Sequence, residues 1–87
     1  MPEPSESPDL VRDLAEVARL LVDKPDEVEV QEIPNRRGGG VLELTVAPDD
    51  LGKVIGRQGR TARAMRTLLE TREERQGERY ELEILED

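Results

Sequence analysis

Gly56 and Gly59 stand three residues apart in the run Ile55-Gly56-Arg57-Gln58-Gly59, at the junction of two segments with helical apolar spacing. A sharp turn between two helices needs backbone with positive φ, which Gly adopts without steric cost. The pair therefore commits this part of the chain to a short helix, a tight turn and a second helix. Two positions without Cβ also let a sugar–phosphate chain come close to the main chain. The free N–H groups and positive dipole end of the second helix, starting near Arg60, would lie beside them. Lys53, Arg57 and Arg60 flank the turn, and guanidinium groups match phosphate geometry.

Glycine spacing alone is weak evidence. At an average Gly usage of about 7 %, roughly 0.4 such pairs arise by chance in a chain of this size, and a plain helix–turn–helix connector has the same spacing. The conjunction favours a nucleic-acid backbone: apolar Val54-Ile55 and Gly52 before the turn, cations around it, a helix after it. Gly52, Gly56 and Gly59 do not make a dinucleotide fingerprint, and no Gly-Lys-Ser/Thr follows at phosphate-loop spacing.

Charge distribution supports the same surface although the total opposes it. The net charge of −8 would repel a polyanion from a uniform surface. Residues 51–69, however, hold five cations (Lys53, Arg57, Arg60, Arg63, Arg66) and no acid. The other residues carry 21 acids against eight bases, a net of −13. A solvated helix face with scattered arginines is the plainer reading of such a stretch.

The 87 residues suit one domain with a modest core. Residues 1–8, acidic and rich in Pro and Ser, read as a flexible tail, and 9–86 as the domain. The tail is unlike a signal peptide and no apolar run is long enough to span a membrane, which with the lack of Cys fits a cytoplasmic protein.

Ser7-Pro8-Asp9 has the form of a helix start, with Ser7 as cap, and the helix is expected to run to about Lys24, where Pro25 stops it. Leu10, Leu14, Val17 and Leu21 form its expected buried stripe, with Val11, Ala15, Ala18 and Val22 beside it. Val28, Val30 and Ile33 mark a first strand, broken by a bulge or an end near Glu32. Residues 34–40 are rich in turn formers, and 41–46 alternate as a second strand antiparallel to the first. Asp49 and Asp50 are expected to cap a short helix over 51–55. A longer helix over 61–74 buries Ala62, Met65 and Leu69, with Arg60, Arg63 and Arg66 largely on its other side. Tyr80, Leu82 and Ile84 alternate as a last strand, with Tyr80 a core residue, and the helical crossover allows it to run parallel to an earlier strand. The fold class is α+β, in the order α-β-β-α-α-β, with a three-stranded sheet covered by helices on one face. The other face carries Glu29, Gln31, Glu43, Thr45, Glu81 and Glu83 and is too acidic to receive nucleic acid.

The run Gly52-Lys53-Val54-Ile55-Gly56-Arg57-Gln58-Gly59-Arg60-Thr61-Ala62 resembles the core of a K-homology (KH) domain. That fold in general clamps four backbone nucleotides with a Gly-x-x-Gly loop, a property not read from this chain. Residues 23–30 and 46–56 resemble the KhpA family of small bacterial proteins made of a single type II KH domain. The resemblance implies an RNA-binding surface at Gly52, Lys53, Val54, Ile55, Gly56, Arg57, Gln58, Gly59, Arg60 and Arg63. It sets Gly56 to Gly59 against the RNA backbone and Val54 and Ile55 on the groove floor. The second strand and the loop from Arg36 to Gly40 form the facing wall, where bases rest on aliphatic side chains. It further implies a cytoplasmic RNA chaperone or post-transcriptional regulator acting on single-stranded RNA, with an influence on cell shape. Its partner would be itself, as a homodimer, or a larger KH-containing protein, as a heterodimer. The acidic tail and Arg36-Arg37-Gly38-Gly39-Gly40 depart from the family pattern; the glycine run reads as added contacts or as a flexible turn.

A second reading is a KH-fold interaction or dimerisation module with little RNA binding of its own, suited to the acidic remainder of the surface. Catalysis has little support. There is no His or Cys, and Asp49/Asp50 and Glu73/Glu74 are sequence neighbours whose side chains diverge on regular structure. No spacing suggests a metal or cofactor site.

Overall fold

A computed structural model of the chain describes residues 6–36 and 38–86. Six elements follow in order: α1 (Glu6–Leu21), β1 (Glu29–Pro34), β2 (Gly39–Thr45), α2 (Leu51–Ile55), α3 (Arg60–Gln76) and β3 (Arg79–Ile84). The strands form one sheet in the order β1-β2-β3. β1 is antiparallel to β2, and β3, reached through the two helices, is parallel to it.

The core is aliphatic apart from Met65 and Tyr80. Leu10, Leu14 and Ala18 of α1 meet Leu42, Leu44 and Val46, and Met65 and Leu69 of α3 close over Leu82 and Tyr80. Alternation along β2 and β3 sends Leu42, Leu44, Tyr80 and Leu82 to the helix-covered side. Glu43 on β2 stands beside Glu83 on β3, so the open face is as acidic as expected. Ile33 and Val41 add an apolar pair to that face.

Several expectations are corrected. The helix begins at Glu6, one residue before the expected cap Ser7; residues 1–5 lie outside the described residues. It ends at Leu21 rather than near Lys24, because the N–H groups of Asp23 and Lys24 turn away to the Asp50 carboxylate. Its buried stripe is Leu10-Leu14-Ala18, not Leu10-Leu14-Val17-Leu21: Val17 and Leu21 are 36 % and 38 % exposed. The small Ala18 can lie flat on the sheet where a larger side chain would hold the helix off.

No bulge interrupts β1. Its register runs unbroken from Glu29↔Thr45 to Pro34↔Gly40. An acid, Glu32, takes an inward position because the Tyr80 hydroxyl donates to its Oε2 at 3.3 Å, and Ile33 consequently falls on the open face. Gly39 and Gly40 belong to β2 and not to a flexible turn. Gly40 lies against the Ile33 carbonyl with no space for a Cβ.

Candidate nucleic-acid interface

α2 is one and a half turns long, and its end is built for an abrupt change of direction. The N–H of Gly56 donates to the Gly52 carbonyl at 2.8 Å, after which Gly56 takes φ 81° and ψ 166°. A Cβ on Gly56 would run into the side chain and backbone nitrogen of Thr61. Residues Arg57–Gly59 form a single 3-10 turn, closed by Gly59 N–H donating to the Gly56 carbonyl at 3.0 Å. Gln58, at φ 57° and ψ 26°, is a non-glycine residue in left-handed conformation, a state that costs on the order of 1 kcal/mol. Gly59 also has positive φ, but nothing lies within 4 Å of where its Cβ would be. One glycine thus serves the fold and the other faces open space. Arg57 and Gln58 project as exposed side chains, and α3 starts at once with Arg60.

Beside the loop lies a cleft of about 330 Å³. Ile55, Gly59, Ala62 and Arg66 line one side; Leu82, Glu83, Ile84 and Glu86 line the other. Arg66 Nη2 reaches across to the Leu82 carbonyl at 3.5 Å, a long contact that joins α3 to β3. The cleft is therefore mixed in character: aliphatic at Ile55, Leu82 and Ile84, cationic at Arg66, acidic at Glu83 and Glu86.

The expected site residues separate in space. Ile55 and Gly59 enter the cleft, and Gly56, Arg57 and Gln58 continue from it. Val54 does not line a groove floor: it is fully buried in the core and anchors α2 from beneath. Gly52 is exposed on α2, Arg63 is exposed on α3, and Arg60 borders a different groove, between α1 and α3. Lys53 is held by carboxylates. This cleft is walled by β3 and not by β2 with the Arg36–Gly40 loop, since β2 is the central strand with both edges paired. The hairpin end pairs with Arg79, at the start of β3, whereas the cleft is lined by the other end, near Ile84.

The cleft also gathers Ala62, Arg66, Leu82, Glu83, Ile84 and Glu86, which the sequence did not place beside the glycine turn. Part of this was readable. Gly59, Ala62 and Arg66 follow i, i+3, i+7 spacing and so form one helix stripe, which separates Arg66 from Arg60.

Asp49 and Asp50 do not cap the short helix; no side-chain cap is made there. Asp50, 1 % exposed, instead accepts from the backbone N–H groups of Asp23 (3.1 Å) and Lys24 (3.0 Å). Lys53 Nζ lies 3.6 Å from Asp50 Oδ1 and donates to Asp23 Oδ2 at 3.1 Å, and Lys24 pairs with Asp49 at 3.6 Å. Burial pushes the Asp50 carboxyl up, but the two N–H donors and the Lys53 ammonium outweigh it and hold the pKa below its ordinary 3.8. The hydrogen bond and charge of Asp23, with a smaller effect of Asp50, raise Lys53 above 10.5.

A second groove, of about 420 Å³, runs between α1 and α3 and is bordered by Val17, Leu21, Arg60, Thr61, Ala64, Met65 and Leu68. Leu20, 86 % exposed, and Leu68, 44 % exposed, add to the apolar surface of these two helices. No described helix is long and apolar enough to cross a membrane.

A family model described as the KH domain of KhpA/KhpB matches residues 11–84, which include every element from the middle of the first helix to the last strand. The chain belongs to this KH-domain family. It is similar to the RNA-binding protein KhpA of Clostridium acetobutylicum, at 46 % identity over 83 % of this chain and 95 % of the relative. It is 49 % identical to RNA-binding protein KhpA of Treponema pallidum, over 84 % of this chain and 90 % of that one. To the protein of the same name from Streptomyces coelicolor it is 57 % identical, over 64 % and 70 %. No solved structure matches the chain. The KH assignment agrees with the α+β order and with a Gly-x-x-Gly turn between α2 and α3.

Proposed function

We propose that this chain is a non-catalytic RNA-binding protein that grips single-stranded RNA by its backbone at Gly56, Arg57, Gln58 and Gly59, with the adjoining bases in the cleft between α3 and β3. The observation that carries this reading is the open turn: a glycine with empty space before it, two exposed polar side chains, and α3 starting directly behind. Aliphatic Ile55, Leu82 and Ile84 offer apolar surface for bases, and KH domains need no aromatic platform, in keeping with a chain whose one aromatic residue is buried. The relatives named as RNA-binding proteins support the same conclusion. The role we infer for this chain is that of an RNA chaperone or post-transcriptional regulator in a bacterial cytoplasm.

The test is the double substitution R57D/Q58D. RNA binding is expected to be lost while the circular dichroism spectrum and Tm stay near wild type, because both side chains are exposed. Retained binding removes the loop from the mechanism. Binding is also expected to weaken with salt along a shallow slope, reflecting few neutralised phosphates.

The groove between α1 and α3 favours a second surface that works alongside the first. Val17, Leu20, Leu21 and Leu68 expose more aliphatic surface than two solvated helices need. This face would pair with a second copy of the chain or with a larger KH-containing protein, and pairing two RNA-binding sites raises affinity by avidity. Sedimentation of the wild type and of Leu68→Arg, with and without RNA, separates the roles. A dimer that L68R dissolves supports the pairing surface, and monomeric wild type at every concentration removes it as a homodimer.

A further inference from the structure

The cation nearest the glycine turn on its N-terminal side is not free. Lys53 sits three residues before Gly56, where a charged lysine beside a phosphate-binding turn would ordinarily be taken as a phosphate ligand. Its ammonium is instead shared between Asp23 Oδ2 at 3.1 Å and Asp50 Oδ1 at 3.6 Å. With the Lys24–Asp49 pair alongside, three carboxylates and two ammonium groups occupy this corner, leaving it net negative. A phosphate approaching Lys53 would meet two carboxylates at the same place.

We infer that Lys53 is a positioning residue of the RNA interface and not a phosphate ligand: through Asp50 and Asp23 it fixes the rotation of α2 about its axis, and with it the direction in which the Gly56–Gly59 turn leaves the helix. The inference rests on the proposed RNA-binding role of that turn. A helix of five residues has too few internal hydrogen bonds to hold its own orientation. Val54 enters the core and Leu51, three residues earlier, packs against it, so both hold one face of α2. The Lys53–Asp50–Asp23 contacts hold the helix from another side. Asp50 is itself immobile, being 1 % exposed and bonded to two backbone N–H groups of the segment that follows α1. The turn is in this way referenced to the segment that follows α1. The acidic corner also sets a boundary: the strand must run from the turn toward Arg57 and Arg66 and away from the start of α2.

Anisotropy titrations of a short single-stranded RNA of mixed sequence over a salt series test this with K53Q, K53R, D23N and R57Q. R57Q is expected to reduce the magnitude of the salt slope by about 0.7, the loss of one phosphate contact on a single strand. K53Q is expected to weaken binding about three- to tenfold with the slope unchanged, and K53R to restore it. In the RNA-free protein, the amide NMR signals of Gly56 and Gly59 should shift in K53Q and return in K53R. D23N frees the ammonium while keeping its charge. It is expected to weaken binding if Lys53 positions the turn, and it serves as the readout should K53Q fail to fold. Tightened or unchanged binding in D23N overturns the inference. So does a K53Q slope reduced by about 0.7 with the glycine amides unmoved. R57Q that binds as wild type does overturns the RNA-binding reading of the turn, and this inference with it.

Discussion

Gly56 packs so closely against Thr61 that the backbone nitrogen and side chain of Thr61 occupy the space a Cβ would need. The start of α3 is thus folded back onto the end of α2, which makes the Gly56–Gly59 turn a rigid corner instead of a loose loop. Gly59, three residues on, has the same sign of φ and nothing within 4 Å of where its Cβ would be.

The two glycines should therefore respond differently to substitution. G59A meets only the backbone cost of a left-handed residue, on the order of 1 kcal/mol. G56A adds a collision with backbone and should cost about 3 kcal/mol or more. Urea denaturation gives both values from the midpoint at constant slope. Equal losses for the two variants would contradict the packing of Gly56 on Thr61. RNA binding is expected to fall in both, in G59A with the fold intact.

Gln58 holds a left-handed conformation that glycine would adopt freely. Replacing it with Gly should stabilise the folded protein by about 0.5 kcal/mol, the relief of strain being partly offset by the greater entropy of glycine in the unfolded chain. RNA affinity should fall at the same time, through loss of the amide side chain. A thermal melt together with an RNA titration of Q58G reads both; lowered stability would argue against strain at this position.

Asp50 couples stability to acid. Its folded pKa lies below 3.8, so the unfolded state takes up the proton first. Its contribution is complete above pH 3.8 and is lost as pH falls through the lower, folded value. Chemical denaturation between pH 6 and pH 2 should show a falling limb below about pH 4 that is shallower in D50N. D50N should also be less stable at neutral pH, since an amide offers one acceptor oxygen where the carboxylate offers two. Lys53 acts at the other end of the scale: its contribution is full below 10.5 and is lost as pH rises through the raised value.

Tyr80 gives a control outside the RNA surface. Its hydroxyl donates to Glu32 on β1, across the central strand. Y80F should lower stability by about 1 kcal/mol, the usual net worth of one such bond, and leave RNA affinity unchanged. A marked change in RNA binding would mean that the hairpin end of the sheet communicates with the cleft.

Much of the fold is written in local patterns. Alternation over Leu42, Leu44, Tyr80 and Leu82 and helical spacing over Ala62, Met65 and Leu69 identify elements and inward faces, because a strand repeats every two residues and a helix every 3.6. The glycine pair is readable for a similar reason: few residues besides Gly accept positive φ, so its place in the chain marks a corner. Where local pattern misled, a distant partner had intervened. Glu32 reads as a break in β1 until Tyr80, 48 residues away, is seen to bond it. Asp50 reads as a helix cap until Asp23 and Lys24, 27 and 26 residues away, are seen to claim both its oxygens.

By itself, then, the sequence determined the order of elements, the α+β class, the glycine corner between two helices, and the concentration of positive charge in 51–69 on an otherwise acidic chain. Only the tertiary structure decided which residues share a surface. It put β3 in place of β2 as the cleft wall, sank Val54 into the core, divided Arg60 from Arg66 between two grooves, and tied Lys53 to carboxylates. Periodicity records the side of its own element on which a residue lies, but strand order and long-range ion pairs depend on how the elements pack, and no window of neighbouring residues contains that information.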